Sequence, residues 1–218
     1  MTDVRLTKSS APTPARRRLR ALAATAAFLS ATIGGLAAAA PASAQTLPGE
    51  RVAASAASEA LAPLGDLLRE RLLLADTVAQ AKWVKGTPVS DPAREKKVID
   101  DAVALAAQKG VDADLVRRVV SAQIAASKTV QNRLITEWSH DPANAPTVAP
   151  DLTQVRQRLD AIDTDLVDAL GTVQQLSADP GCAHLVDAER TREYPGFDAV
   201  HRKGVHVAWG GFCTPTQS

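Results

Sequence analysis

Along four stretches of this chain, apolar residues recur every three or four positions, and this spacing limits the fold more than any other feature. In the first stretch, from about Pro63 to Val84, Leu64, Leu68 and Leu72 fall on one face of a helix. A half-buried strand would instead alternate every two residues. Aromatic residues make up only 3% of the chain, and sheets are usually richer in aromatic and β-branched side chains. The pattern therefore predicts an all-α protein.

Local signals delimit the other three predicted helices. The predicted bounds are Asp91-Pro92 to Lys109-Gly110 for the second helix, Asp112 to Trp138 for the third and Asp151 to Ser177 for the fourth. Asp91 is suited to an N-cap, Pro92 to the first helical position, and Gly110 to the residue after the last turn. A loop with three prolines is predicted from His140 to Pro150. In the tail, residues 185–192 fit a short helix and residues 206–212 have weak strand character, but the sequence leaves the structure of the tail open.

The first 44 residues have the composition of a secretory signal. Residues 16–20 are mostly arginine, residues 21–40 are mostly alanine and other apolar residues, and Ala42-Ser43-Ala44 suits signal peptidase. The alternative is a membrane anchor, since the apolar run is nearly long enough to span a bilayer. The small residues directly after the run favour cleavage after Ala44. The sequence then predicts an exported single domain over residues 45–218, in the periplasm, the cell-wall space or the medium, with no membrane attachment after cleavage.

The two cysteines, Cys182 and Cys213, both lie in the C-terminal quarter of the chain. In an exported protein an even pair separated by a long loop indicates a disulfide. The alternative is half of a metal site, but the nearby His184, His201 and His206 lack the spacing of a metal finger. A disulfide would tie the tail, residues 181–218, to a core of about residues 61–180.

Several polar residues interrupt the apolar stripes at positions that share a face. Arg71 and Lys82 are 11 positions apart, so their side chains leave the first helix in the same direction, about 16 Å apart along its axis. Ser127 and Gln131 continue a line from Gln123, each four positions further along the third helix. Cations and amides without a nucleophile and base pair indicate a pocket that binds a small polyanion. The formal net charge of +1 gives no general attraction to nucleic acid.

Each of these residues also has a purely structural interpretation. Arg71 can extend along its helix to solvent, Asp91 serves as an N-cap in any case, and Ser127 and Gln131 can bond to a neighbouring helix. Only their combination argues for a site.

The combination resembles the all-helical AroQ class of chorismate mutases, and its exported gamma subclass in particular. The motifs that carry the resemblance are Glu70-Arg71-Leu72, Ala75-Asp76, Val78-Ala79, Lys82-Trp83, Asp91-Pro92-Ala93-Arg94-Glu95 and the segment from Gln123 to Gln131. They occur in family order on successive helices and cover about residues 61–182. The resemblance implies a type II chorismate mutase helical bundle, an isomerase that converts chorismate to prephenate without cofactor or metal.

The resemblance also implies roles for individual residues, with Lys82, Gln131 and Arg71 as the catalytic set. Arg71, Arg94 and Arg156 would bind carboxylates. Lys82 would bind a carboxylate and the ether oxygen of chorismate, and Gln131 would be the second donor to that oxygen. Asp91 and Glu95 would hold the ring hydroxyl, and Ser127 would bond near a carboxylate. Some exported members have glutamate in place of Gln131 and should favour acid, so the amide predicts activity through neutral pH.

Two further expectations concern assembly and the alternative function. In the exported subclass each chain resembles a self-contained pocket whose late helix supplies an arginine, here Arg156. A homodimer is compatible with this, but the pocket does not require one. The alternative function is a secreted helical interaction protein that has kept the scaffold without the activity. Such a protein would have no reason to keep Lys82 and Gln131 together.

Overall fold

The computed structural model describes residues 48–214, with side chains described from residue 55 onwards. Six α-helices follow one another: α1 (Pro48–Lys85), α2 (Pro92–Lys109), α3 (Ala113–His140), α4 (Thr153–Val173), α5 (Cys182–Glu193) and α6 (Ala199–Ala208). Short 3₁₀ helices occupy Pro142–Asn144, Gln174–Ala178 and Trp209–Gly211. Residues 48–214 contain no strand, which confirms the all-α prediction for this part of the chain. The predicted signal segment lies outside the described residues.

The first helix is longer than its sequence signals suggest. Pro63 was expected near its start, yet α1 begins at Pro48 and continues through Pro63. A proline inside a helix lacks one backbone donor and normally bends or ends the helix. Here the preceding residues, 53–62, are largely alanine and other good helix formers. None of the helices described has the length and apolar character that a membrane crossing requires.

The second helix has the ends that its sequence predicts. Asp91 is the N-cap, and its side chain accepts a hydrogen bond from the backbone N–H of Arg94 at 3.1 Å. Gly110 follows the last turn with φ of 69°, in the left-handed region that glycine adopts most easily. The N-cap at Asp91 fixes where the polar segment at the start of α2 lies.

The core forms around α1 and α3, which pack against each other. On one side α4 packs on α1 and α2 packs on α3, and α2 and α4 also touch. On the other side α5 packs on α1, and α6 packs mainly on α3. The largest buried apolar side chains are Leu61, Leu64, Leu68, Leu72, Leu115, Ile162, Leu166, Leu170, Trp209 and Phe212. The four helices α1 to α4 therefore enclose the region that the polar positions share.

The structure resolves the tail, which the sequence left open. Residues 206–212 have only weak strand character in sequence, and here they complete α6 and the 3₁₀ helix that follows it. The alternation of Val205, Val207 and Trp209 imitates a strand, whereas burial follows helical spacing through His201, Gly204, Val205 and Ala208. Gly204 permits the docking, since a Cβ there would lie 2.8 Å from Cδ1 of Leu72. The expected short helix at residues 185–192 is present as α5.

Cys182, the first residue of α5, is joined to Cys213 by a disulfide with Cα atoms 5.8 Å apart. This confirms the predicted pairing. The cross-link closes a loop with a sequence separation of 31, which corresponds to roughly 3–4 kcal/mol in the chain-entropy model. It fixes both ends of the α5–α6 segment beside the 3₁₀ helix Gln174–Ala178, where the backbone of Thr214 also bonds to Ser177.

Candidate active site

A cavity of about 620 Å³ lies between α1, α2, α3 and α4, closed on one side by the loop that joins α1 to α2. All eight residues predicted for the site line this cavity: Arg71, Lys82, Asp91, Arg94, Glu95, Ser127, Gln131 and Arg156. Apolar side chains complete the walls, among them Val78, Val98, Ile124, Val155 and Leu159. One chain therefore supplies every polar group that the sequence predicted.

Arg71 is the most deeply placed cation of the cavity, with only 8% of its surface exposed. Burial is the main cause that lowers the pKa of its guanidinium, and the negative charge of Asp163 opposes this effect. Its Nη1 donates to Oδ1 of Asp163 on α4 at 2.5 Å. Its Nε is buried and, within the described part of the chain, has no hydrogen-bond partner. An arginine held in this way is a fixed cation with donors left for an anion.

Lys82 lies about three turns nearer the end of α1 and is partly buried. Its Nζ donates to the backbone carbonyl of Val89 in the α1–α2 loop at 2.6 Å. Burial is the largest influence and lowers the pKa of Lys82, while the charges of Asp91 and Glu95 act to raise it. An ammonium group has three donors, so the bond to the loop leaves two for a ligand.

The N-terminus of α2 supplies the acidic groups. Glu95 reaches back to the start of its own helix, where it accepts from the backbone N–H of Asp91 and from Oγ of Ser90, both at 3.1 Å. The side chain of Arg94, on the same turn, is exposed at the cavity rim. A helix N-terminus with a nearby arginine attracts anions.

Lys128 on α3 also belongs to the cavity, and the sequence prediction did not select it as a site residue. Its Nζ lies 3.0 Å from both carboxylate oxygens of Glu95 and 2.8 Å from Oγ of Ser90. Burial acts to raise the pKa of Glu95, but the bonds from Lys128, the Asp91 backbone and Ser90 outweigh it and lower that pKa. Lys128 therefore keeps Glu95 ionised and able to accept a hydrogen bond. The sequence signal that could have identified Lys128 as a cavity residue is its position directly after Ser127.

Gln131 on α3 is 4% exposed, and its Nε2 donates to Oγ of Ser127 at 2.8 Å. Its Oε1 is buried and has no hydrogen-bond partner among the described residues. The Ser127 hydroxyl can donate as well as accept, so a half-turn of the amide leaves Nε2 free instead. In either orientation one polar atom of Gln131 awaits a partner that these helices do not supply, and such buried groups are uncommon.

Gln123 begins the polar line that the sequence places on α3, but it does not reach the cavity. Its Nε2 donates to the backbone carbonyl of Ala208 at 3.2 Å, so it fastens α3 to α6. Of the three polar residues on this face of α3, Gln123 therefore joins two helices, whereas Ser127 and Gln131 line the cavity.

Arg156 completes the cavity from the first turns of α4, where its side chain is exposed. Lys85, at the end of α1, lines the same space and was not predicted. The lining contains six cationic and two acidic side chains, which suits a ligand with two negative charges. Across residues 48–214, no three or more His, Cys, Asp and Glu side chains are grouped to hold a metal ion.

Comparisons with known proteins point to one family. The family model described as chorismate mutase type II matches residues 62–132. A secreted chorismate mutase of Mycolicibacterium smegmatis is 34% identical over 70% of this chain and 86% of its own length. A secreted chorismate mutase of Mycobacterium tuberculosis is 28% identical over 70% of this chain and 78% of its own length.

A solved structure agrees with the sequence relatives. The crystal structure of a chorismate mutase from Burkholderia phymatum superposes with a TM-score of 0.68 at 30% identity, over 73% of this chain and 99% of that one. The chain therefore belongs to the chorismate mutase type II family, with the helical fold that the sequence motifs predicted.

Proposed function

We propose that this protein catalyses the rearrangement of chorismate to prephenate inside the cavity between α1 and α4. One observation carries the proposal: eight predicted polar residues from four helices and a loop line a single cavity in one chain. Chorismate carries two carboxylates, an ether oxygen and a ring hydroxyl. Its rearrangement is intramolecular and passes through a compact chair, so catalysis requires that the cavity fold the substrate and stabilise developing charge.

Cations that line the cavity bind the two carboxylates. Arg71 contributes from the buried side, and Arg156 and Arg94 contribute from the rim. Holding both ends of a flexible diacid brings the reacting carbons together, and such positioning accounts for a large part of the rate gained in intramolecular reactions.

Lys82 and Gln131 stabilise the ether oxygen, where negative charge grows as the C–O bond breaks. Lys82 is held by Val89. With the Gln131 amide turned so that its Oε1 accepts from the Ser127 hydroxyl, Nε2 is free to donate, and both donors are oriented before the substrate arrives. Preoriented donors in a partly buried site are worth about 3–4 kcal/mol of barrier each. Because Gln131 is an amide, its donor persists through neutral pH.

The carboxylates of Asp91 and Glu95 accept a hydrogen bond from the ring hydroxyl of chorismate. The contacts of Lys128 and Ser90 with Glu95 lower the pKa of that carboxyl and hold it ionised, so it acts as an acceptor. The hydroxyl contact orients the ring relative to the cations and distinguishes chorismate from diacids that lack the group.

The first test follows the loss of chorismate absorbance with the purified exported protein and with Lys82→Ala. The wild type is expected to convert chorismate, and Lys82→Ala to lose about 10²–10³-fold in kcat. Lys96→Ala is the matched control, because Lys96 is an exposed cation on α2 that pairs with Asp100 outside the cavity. Lys82→Ala should not lower the melting temperature, since it removes one of several like charges around the cavity.

A folded wild type that leaves chorismate unchanged would contradict the proposed function. It would favour a helical interaction protein that kept the scaffold. Equal losses in Lys82→Ala and Lys96→Ala would contradict the role of Lys82 in particular.

We also propose export with cleavage after Ala44, which is supported by the signal-like composition of residues 1–44 and by relatives named as secreted. N-terminal sequencing of the protein recovered outside the cytoplasm should begin at Gln45. A protein recovered with residue 1 or 2 at its N-terminus would contradict cleavage.

A further inference from the structure

Asp163 lies on α4 behind Arg71 and is not among the cavity-lining residues. Its Oδ1 accepts from Nη1 of Arg71 at 2.5 Å, and the two side chains are 20% and 9% exposed. The contact joins residues 92 positions apart. It therefore links a cavity cation on α1 to a helix that also brings Arg156 to the cavity.

The contact uses only one corner of the guanidinium. Arginine presents five donors in a planar fork, and a carboxylate can take two of them along one edge. Nη1 is taken by Asp163, while Nε is buried without a partner in the described residues. The edge formed by Nε and Nη2 is the one left for a second carboxylate.

We propose that Asp163 is a positioning residue that holds Arg71 by Nη1, so that the Nε–Nη2 edge receives one carboxylate of the substrate. The proposal rests on the proposed function and names a residue that acts on substrate only through Arg71. Without Asp163, Arg71 would have buried donors on both edges and rotamers that turn its fork away from the substrate.

The charge arrangement around Asp163 fits this role. Burial is the main cause that raises the pKa of Asp163, and the neighbouring Arg71 acts to lower it. The like charge of Arg94, which also lines the cavity, and the opposite charge of Asp160 on α4 act on Arg71 as well. A counterion behind Arg71 keeps the cation in place when the cavity is empty, without occupying the space that a substrate takes.

The same two helices carry a second ion pair that serves as a matched control. Glu70, next to Arg71 on α1, pairs with Arg158 on α4, and both side chains are more than 40% exposed. Neither residue lines the cavity. Glu70→Gln therefore removes an α1–α4 ion pair without affecting the Nε–Nη2 edge of the Arg71 guanidinium.

The test measures KM and kcat for chorismate in Asp163→Ala, Asp163→Asn and Glu70→Gln. Asp163→Ala should raise KM about 10-fold or more and change kcat by less, because Arg71 already binds its carboxylate in the ground state. Asp163→Asn keeps an acceptor for Nη1 and should recover to within about 3-fold of wild type. Glu70→Gln should stay within about 2-fold. Asp163→Leu, which fills the space without an acceptor, replaces Asp163→Ala if that variant does not fold.

A double-substitution cycle tests whether the effect passes through Arg71. In an Arg71→Lys background, Asp163→Ala should change KM by less than about 3-fold, because the fork is already gone. An undiminished effect in that background, or a wild-type KM in both Asp163→Ala and Asp163→Leu, would overturn the proposal. The second result would mean that Asp163 only fastens α4 to α1.

Calorimetric titration with chorismate separates this proposal from the proposed function. A wild type that binds chorismate without converting it, and loses affinity in Asp163→Ala, would overturn the reaction and support the positioning. A wild type that neither binds nor converts chorismate would overturn both.

Discussion

The two sides of α1 hold buried charge in opposite ways. On the cavity side, Arg71 and Lys82 are cations with donors left over. On the tail side, where α5 packs against α1, the buried charges are carboxylates: Glu189 is 1% exposed and Glu193 is 2% exposed. A Cβ at Gly65 on α1 would overlap the oxygens of both glutamates, so glycine is required there for the carboxylates to fit.

On the tail side, other groups of the protein bind the buried carboxylates. Glu189 accepts two hydrogen bonds from Arg192, which also contacts Asp66 on α1. Trp209 donates its indole N–H to Oε1 of Glu193 at 2.7 Å, while Oε2 stays buried without a partner in the described residues. Burial raises the pKa of Glu193 to about 7, so this carboxyl takes up a proton near neutral pH.

The difference shows how the location of a buried charge decides its consequence. A charge beside an open cavity can be met by an anionic ligand, so its substitution should change activity. A charge sealed between helices can only be met by a protein group or a proton, so its substitution should change the dependence of stability on pH.

The largest expected effect is on the cavity side, in Gln131→Glu. An ionised carboxylate cannot donate to the ether oxygen, whereas a protonated one can. Activity should therefore remain near pH 5 and fall about 10²–10³-fold relative to wild type by pH 8. The measurement is kcat against pH for both proteins. A steep loss of wild-type activity between pH 5 and 7.5, with the fold intact, would contradict the role of the amide.

The next effect is on the tail side, in Glu193→Gln. The folded-state pKa of Glu193 is about 7 against an ordinary 4.5, so the folded state binds the extra proton between these values. Stability from this group is present below pH 4.5 and is lost as pH rises through 7, by about 3 kcal/mol at most. The amide keeps the acceptor for Trp209 and cannot ionise.

Urea unfolding at pH 5 and pH 8.5 measures this effect. The variant should be more stable than wild type at pH 8.5 and close to it at pH 5, with kcat unchanged. An equal difference in the free energy of unfolding between variant and wild type at the two pH values would contradict this. It would show that Glu193, with Glu189, Arg192 and Asp66 around it, does not change its protonation between pH 5 and pH 8.5.

The smallest expected effect is in His201→Gln on α6. The His201 ring lies between Asp198, 2.9 Å from Nδ1, and Asp76 on α1, 3.1 Å from Nε2. Burial acts against the charged ring, but the two carboxylates outweigh it and raise the pKa of His201 above 6.5. Its stabilisation is complete below pH 6.5 and is lost as pH rises through the folded-state value.

Unfolding of His201→Gln should therefore show a deficit of about 1 kcal/mol near pH 5.5 that shrinks at alkaline pH. Activity should not change, because His201 faces the tail side of α1. A deficit that grows with pH would reverse the assigned sign.

Much of the fold was predictable because its signals are local. Asp91, Pro92 and Gly110 act within one turn of the helix ends they define, so α2 begins and ends where expected. The cavity residues were predictable because family motifs place Arg71, Lys82 and their partners in order. The roles assigned to these residues remain predictions.

What the sequence did not reveal depends on contacts between distant segments. The partner of Arg71 is Asp163, 92 positions away. The face shared by Arg156 and Asp163, seven positions apart on α4, was the only local signal for it. The sequence left α6 open because the alternation of Val205 and Val207 is strand-like, whereas burial against α3 decides for a helix. The helix through Pro63 was missed because packing tolerates one lost hydrogen bond.

The most direct test of the central claim is to identify, by nuclear magnetic resonance, the product that the purified wild-type protein forms from chorismate. The cavity of fixed cations and amide donors predicts prephenate as the single product, formed without added cofactor and far faster than in buffer alone. Chorismate that persists at the rate seen in buffer, or turns into a product other than prephenate, would contradict the account.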